Sequence, residues 1–106
     1  MTMYRQGDVL LVRRTAKPRN ARPVERDNGR IVLAEGEATG HAHAIWDPEV
    51  DLVETANARY LYVEGDTAEL VHEEHATITL STGVYEVIRQ REFRFGGGGS
   101  FGWIQD

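Results

Sequence analysis

The four histidines of this 106-residue chain fall into two compact motifs, and none lies elsewhere. The first motif, Gly-His-Ala-His, holds His41 and His43, and the second, His-Glu-Glu-His, holds His72 and His75. Imidazole nitrogens are frequent ligands of transition metals, so the clustering predicts a metal site. The alternative is that these histidines form hydrogen bonds at the rim of the fold or a pH-sensitive contact between subunits.

The spacing of the first motif suits a β-strand. Side chains two positions apart in a strand point to the same face, so His41 and His43 can act as neighbouring ligands while Ala42 points away. The small alanines on either side of His43 also leave room for a bound ion.

The spacing of the second motif requires an irregular backbone. A regular strand would place His72 and His75 on opposite faces, because their separation is odd. We therefore expect a bulge or turn at Glu73 and Glu74 if both rings are to reach one ion. Otherwise, one of the two histidines is a ligand and the other supports a ligand or lies on the surface. These two glutamates, with Asp47, are candidate carboxylates for orienting the imidazoles.

The donor set limits the metal and its chemistry. Three or four imidazoles with an optional carboxylate suit zinc, iron, nickel, copper or manganese. The chain has no cysteine, which excludes thiolate sites and cysteine nucleophiles. With three ligands the ion could polarise a bound water or substrate, and Glu73 or Glu74 could act as the base. The sequence indicates no substrate, and with it no definite enzyme activity.

Composition predicts one folded domain. Apolar residues make up 41% of the chain and charged residues 27%, which is ordinary for a globular protein. We expect a single β domain over residues 1–95. Residues 96–106 form a glycine-rich segment and an apolar tail, which we expect to dock on the same chain or on a neighbour. The sequence has no long apolar stretch of the kind that predicts a membrane span or an export signal. We therefore expect a cytoplasmic protein.

The hydrophobic pattern predicts an all-β fold with no substantial helix. Apolar residues alternate with a period near two, and turn residues interrupt them every 8 to 12 positions, which favours a small barrel or a two-sheet sandwich. We expect a buried central strand at 9–12, an exposed connection at 15–29, and turns at 65–66 and 82–83. The eight predicted strands span residues 9–12, 31–33, 39–45, 51–54, 59–63, 68–72, 77–80 and 84–93.

An uneven charge distribution supports a second hypothesis. The net charge is −5, yet residues 1–30 carry +5 and the rest of the chain carries −10. Such a split can mark a patch for nucleic acid or another anion, although a solvated arginine-rich loop explains it as well. The second hypothesis is therefore a self-associating, homo-oligomeric module that binds nucleic acid. Its candidate residues are Arg13, Arg14, Lys17, Arg19, Arg22, Arg26, Arg30, Arg89 and Arg91.

The His-x-His pair on a strand of a small all-β chain resembles the first motif of the cupin superfamily. Asp47 stands where that motif carries an acidic residue. At the second cupin motif the chain keeps Gly83 but has Glu86 in place of the expected histidine. The resemblance implies a jelly-roll fold and metal chemistry.

Two further likenesses are less specific. The segments Gln-Gly-Asp-Val-Leu at 6–10 and Thr-Gly-His-Ala-His at 39–43 resemble short bacterial or phage proteins, which implies no particular function. A third hypothesis is a structural subunit similar to a small co-chaperonin barrel or a phage assembly protein.

Overall fold

The protein is all-β with two antiparallel sheets, as predicted. The computed structural model describes residues 2–35 and 40–90, and these contain no α-helix. The strands are β1 (Met3–Gln6), β2 (Val9–Arg14), β3 (Arg22–Val24), β4 (Ile31–Glu35), β5 (Ala42–Ile45), β6 (Val50–Glu54), β7 (Arg59–Leu70) and β8 (Ile78–Arg89). One sheet has the order β1-β2-β8-β7-β6-β3, and the other pairs β4 with β5. The described strands do not close into a barrel, so the two-sheet alternative holds.

The predicted central strand is β2, an interior strand of the large sheet. In β2, Val9 and Leu11 are fully buried, and β2 lies between β1 and β8. Their partners in the core include Leu61 from β7 and Tyr85 from β8, both with no exposed surface. The prediction of a buried interior strand at 9–12 is confirmed for Val9, Leu11 and Val12, whereas Leu10 is half-buried.

A single long hairpin replaces four of the predicted strands. The turn predictions at 65–66 and 82–83 were wrong, because β7 and β8 run through both positions without reversing. Near residues 65–66, the pairing of β7 with β8 shifts register between Val63 and Thr67, and β7 continues beyond the shift. At Gly83 the Arg13 side chain crosses the strand, and a Cβ there would lie 2.8 Å from Arg13 Nε. The reversal instead occupies residues 71–77, which hold the second histidine motif.

Two edge strands were not predicted from the sequence. β1 pairs with β2, and β3 lies within the segment 15–29 that was expected to be only a connection. Both have weak apolar patterns because each borders a single neighbour in the sheet. Pro23 is tolerated in β3, since an edge strand leaves one side without ladder hydrogen bonds.

The small sheet of β4 and β5 packs against the end of the β7–β8 hairpin. All four residues of β5 are buried, and Ile45 joins the common core with Ile31 and Leu33 of β4. The described part of the chain contains no helix with the length and apolar character needed to cross a membrane. The start of the predicted strand at 39, residue Arg91 and the tail at 96–106 lie outside the described residues.

Candidate metal centre

One pair of backbone hydrogen bonds brings the two histidine motifs together. Ala44 and Val71 exchange N–H···O bonds of 3.0 and 2.9 Å, although 27 positions separate them. Beyond this bridge the two segments continue side by side in opposite directions. His43 is therefore opposite His72, and His41 is opposite Glu74.

The four imidazole rings form a continuous cluster. His43 and His72 have ring centres 4.3 Å apart, and His72 and His75 have centres 4.7 Å apart. The centres of His43 and His75 lie 5.8 Å apart, and His41 is 5.8 Å from His72. A bend at residues 73–75 brings His72 and His75 to the same side, as their odd spacing requires. His43, His72 and His75 are therefore the corners of a triangle, which we call the histidine triangle.

Burial decreases across the cluster from its base to its mouth. His43 is only 2% exposed, His72 is half-buried and His75 is exposed. The side chain of His41 is 25% exposed. The cluster is thus a cup with His43 at its base and an opening to solvent.

A buried glutamine fixes the orientation of the His43 ring. Gln6, which is 3% exposed, donates both amide hydrogens, to the carbonyl oxygens of Leu70 at 3.0 Å and Ala76 at 2.9 Å. Its Oε1 must then be an acceptor, and it lies 2.8 Å from His43 Nδ1. The His43 Nδ1–H donates to Gln6, which leaves the lone pair of a neutral ring on Nε2. This is the tautomer in which Nε2 can bind a metal.

Burial also keeps His43 neutral. Loss of hydration, together with the neighbouring rings of His72 and His75, lowers the pKa of His43 to about 4, against an opposing effect from Asp8. At neutral pH the ring is therefore uncharged, as a metal ligand must be.

Gly7 forms a wall of the cup because it has no side chain. It joins β1 to β2 with a φ of +61°, a left-handed conformation that glycine adopts at little cost. A Cβ on Gly7 would lie 2.9 Å from His75 Nε2 and 3.2 Å from His43 Cε1. The backbone thus comes close to both rings, and any other residue would enter the space between them.

The two glutamates of the second motif are held by local contacts. Glu73 Oε1 accepts a hydrogen bond from the Ala42 amide at 3.0 Å, and this bond lowers the pKa of Glu73. Its carboxylate therefore connects the two motifs and is a weak base. Glu74 Oε2 faces His41 Nδ1 at 3.5 Å, while the Glu74 amide donates to His72 Nδ1 at 3.0 Å.

The four imidazole rings lie close together, but they do not form a metal-binding arrangement. Among residues 2–35 and 40–90, no three His, Asp or Glu side chains are arranged so that they could hold a metal ion together. Two neighbouring imidazole ligands on a tetrahedral ion have ring centres roughly 5 Å apart, given metal–nitrogen distances of about 2.0 Å. The separations within the histidine triangle, 4.3 to 5.8 Å, are close to that value. The spacing of the ring centres is therefore compatible with a metal site, although the described side chains do not form one as they are placed.

Comparison with known proteins places the chain in a family. The model of a domain of unknown function, DUF8820, matches residues 5–90. The chain belongs to the DUF8820 family. The match spans both histidine motifs and the turn between β1 and β2. No curated protein and no solved structure matches the chain.

Sequence reasoning missed three residues of this DUF8820 domain that surround His43. Gln6, Gly7 and Asp8 are consecutive in the turn from β1 to β2, and Asp8 Oδ1 lies 3.7 Å from His43 Nε2. Asp8 Oδ2 is 3.3 Å from Arg89 Nη2. The available signal was the polar Gln-Gly-Asp sequence immediately before the buried strand β2.

Asp47 lies away from the rings. Its Oδ1 accepts a hydrogen bond of 3.1 Å from the Glu69 amide. This contact lies on the opposite side of the Ala44–Val71 bridge from the histidines. Asp47 therefore fastens β7 to the end of β5 instead of orienting an imidazole.

The candidate nucleic-acid residues are largely engaged with neighbours. Arg14 is paired with Glu86 at 2.6 Å, Lys17 with Glu64 at 3.5 Å and Arg22 with Glu54 at 3.4 Å. These contacts offset the charge of three of the nine candidates and weaken the hypothesis of a basic patch there.

Most of the remaining candidates are not in ion pairs of the described structure and keep their charge. Arg13 donates to the Thr82 carbonyl, and Arg26 to the carbonyls of Asp47 and Val50. Arg89 lies on the same strand face as buried Tyr85 and meets Asp8 at the base of the cup. Arg19 and Arg30 are on the loops before β3 and β4, and Arg91 lies outside the described residues.

Proposed function

We propose that this DUF8820 domain binds a divalent transition metal ion, such as zinc, iron, nickel or manganese, through the histidine triangle. The observation that supports the proposal best is the His43 ring, which is buried, neutral and fixed with Nε2 directed into the cup. Burying an imidazole costs desolvation, and a ligand for its lone pair would offset that cost. Metal coordination is a common role for such a ring.

The other two rings need only small movements to complete the site. His75 is exposed, and its side chain can change rotamer at little cost. His72 must release the Glu74 amide from its Nδ1, and that amide belongs to an exposed residue that water can satisfy. His41 is outside the histidine triangle, at the mouth of the cup, and would be an additional ligand, because the Glu74 carboxylate faces its Nδ1 and leaves Nε2 for the ion. The site would therefore close around the metal when it binds.

Such a site would have an accessible coordination position. The cup opens to solvent beside His75, so a water or a small ligand can reach an ion held above His43. A bound ion would act as a Lewis acid and lower the pKa of a coordinated water. Because Glu73 is held by the Ala42 amide, Glu74 is the carboxylate with more freedom to take part.

Elemental analysis of protein purified without a histidine tag tests the proposal. We expect about one transition metal ion per chain, or one equivalent of zinc bound after treatment with a chelator. His75→Ala should abolish or strongly weaken this binding without affecting the fold, because the side chain is exposed. Thr77→Ala, in the same loop and also exposed, is the matched control and should bind like the wild type. Absence of binding by the wild-type chain would contradict the proposal.

A further inference from the structure

The contact between Asp8 and His43 brings two hydrogen-bond acceptors together without a hydrogen between them. His43 Nε2 carries a lone pair, because the ring hydrogen is on Nδ1 and is donated to Gln6. Asp8 Oδ1 lies 3.7 Å from that nitrogen, which is too long for a hydrogen bond. Two electron-rich atoms thus face each other at the base of the cup, where His43 is buried and Asp8 is half-buried, and a cation between them would stabilise such an arrangement.

The separation fits one particular cation geometry. Two ligand atoms, each about 2.1 Å from the same tetrahedral ion, are about 3.4 Å apart. The observed nitrogen–oxygen distance of 3.7 Å is close to that separation. Little movement of Asp8 or His43 would be needed for both atoms to contact one ion.

The carboxylate is already held in place for this role. Asp8 follows Gly7 in the turn between β1 and β2, and its backbone oxygen accepts a hydrogen bond of 2.8 Å from the Gln90 amide. Its second carboxylate oxygen is 3.3 Å from Arg89 Nη2, and Arg89 also reaches the carbonyl of Glu35 at 3.4 Å. A carboxylate ligand is commonly hydrogen-bonded in this way through the oxygen that does not face the metal.

We infer that Asp8 is a direct metal ligand, which with His43 forms the fixed half of a mixed histidine–carboxylate site. The inference rests on the proposed metal-binding function and specifies its donor set. The exposed rings of the second motif then form the mobile half. A site of two or three imidazoles and one carboxylate accepts harder divalent ions, such as iron(II), cobalt(II) and manganese(II), as well as zinc.

Cobalt(II) titration, followed by its visible absorbance, tests the inference. We compare the wild-type chain with Asp8→Asn, which keeps the size of the side chain and removes its charge. The matched control is Asp51→Asn, the same change at an exposed position on β6. Loss of a direct ligand should raise the Kd for cobalt by about 100-fold or more, at or above the upper end for loss of an outer-shell partner. The control should bind within a factor of about two of the wild type.

The outcomes separate the two proposals. If the wild-type chain binds one cobalt ion and Asp8→Asn binds it equally well, the role of Asp8 is overturned and the proposed function stands. If the wild-type chain binds neither cobalt nor zinc, the proposed function fails and the role of Asp8 fails with it.

A measurement on the wild-type chain avoids any folding defect of the variant. The carboxyl carbon of Asp8 in ¹³C-labelled protein should change its NMR shift on addition of one equivalent of zinc, while that of Asp51 should not. An unchanged Asp8 resonance in protein that has bound zinc would overturn the inference.

Discussion

The body of the large sheet and the histidine cup are stabilised in different ways. Around β2, β7 and β8, each strand has continuous hydrogen-bonded neighbours, and apolar side chains fill the space between the sheets. The cup depends on one backbone bridge at Ala44 and Val71, one buried glutamine and the turn at Gly7. Many redundant contacts therefore define the body, whereas a few polar contacts define the geometry of the cup. Changes in the body should affect stability without affecting binding, whereas changes in the cup should affect binding as well as stability.

The largest expected effect is in the body. Leu11→Ala would create a cavity at a fully buried position of β2 and should lower the free energy of unfolding by about 2–5 kcal/mol. Urea denaturation followed by circular dichroism measures this loss. Leu10→Ala, at the half-buried neighbouring position, should cost clearly less. Metal stoichiometry of the folded variant should equal that of the wild type, and a lost metal site would contradict the separation of body and cup.

Acidification should act on the cup first. His43 has a pKa of about 4 in the folded protein, below the ordinary value of 6.5, so the unfolded chain binds the proton more readily. The contribution of neutral His43 to the free energy of unfolding is therefore fully present above about pH 6.5. This contribution should be lost as the pH drops towards 4. The loss in metal-free protein should reach about 3 kcal/mol, from 1.36 kcal/mol for each pKa unit. Urea denaturation at several pH values measures it.

A variant identifies the group responsible for this pH dependence. His43→Leu should flatten the stability profile between pH 4 and 6.5, whatever its effect on stability at neutral pH. A profile as steep as that of the wild type would show that another group accounts for the loss.

The glutamine that fixes His43 should affect both stability and binding. Gln6→Leu leaves the carbonyls of Leu70 and Ala76 without this donor and frees the His43 ring, so it should cost about 1–3 kcal/mol. Metal affinity should fall by about 10–100-fold, as for other partners that orient a ligand. Gln90→Leu, at the exposed contact with Arg5, is the control for both measurements. Unchanged zinc affinity in Gln6→Leu would contradict the role of this hydrogen bond.

The sequence predicted the body better than the cup, for physical reasons. The apolar run at 9–12 is confirmed as an interior strand, because a strand with neighbours on both sides and a buried face requires mostly apolar residues. Glycine-containing pairs at 65–66 and 82–83 were wrongly predicted as turns. Local turn propensity there is overridden by pairing along the whole length of β7 and β8.

The cup was predicted only in part, because its parts come from three distant segments. The odd spacing of His72 and His75 correctly indicated a bend, and the four rings do lie together. The polar residues Gln6 and Asp8 stand out before the buried strand β2, but nothing in that sequence indicates that the turn between β1 and β2 contacts the histidines. Such a contact is set by strand order, which a periodic pattern does not encode. Metal binding, self-association and the likeness to cupins stay predictions.

The smallest expected effect is at the exposed ion pairs. Arg22→Gln breaks the contact with Glu54 on the edge of the large sheet, where both side chains are exposed. Such pairs contribute up to about 1 kcal/mol, so the urea midpoint should hardly change. Binding to single-stranded RNA or DNA that is lost in this variant and depends on salt would revive the nucleic-acid hypothesis.

The imidazole nitrogens of ¹⁵N-labelled protein test most directly whether His43 presents Nε2 to an ion. At pH 7 and without metal, the long-range ¹H–¹⁵N spectrum should show His43 with its hydrogen on Nδ1. One equivalent of zinc should then shift the Nε2 resonance of His43 and leave the hydrogen on Nδ1. A His43 ring with its hydrogen on Nε2, or an Nε2 resonance unchanged by zinc, would contradict the account.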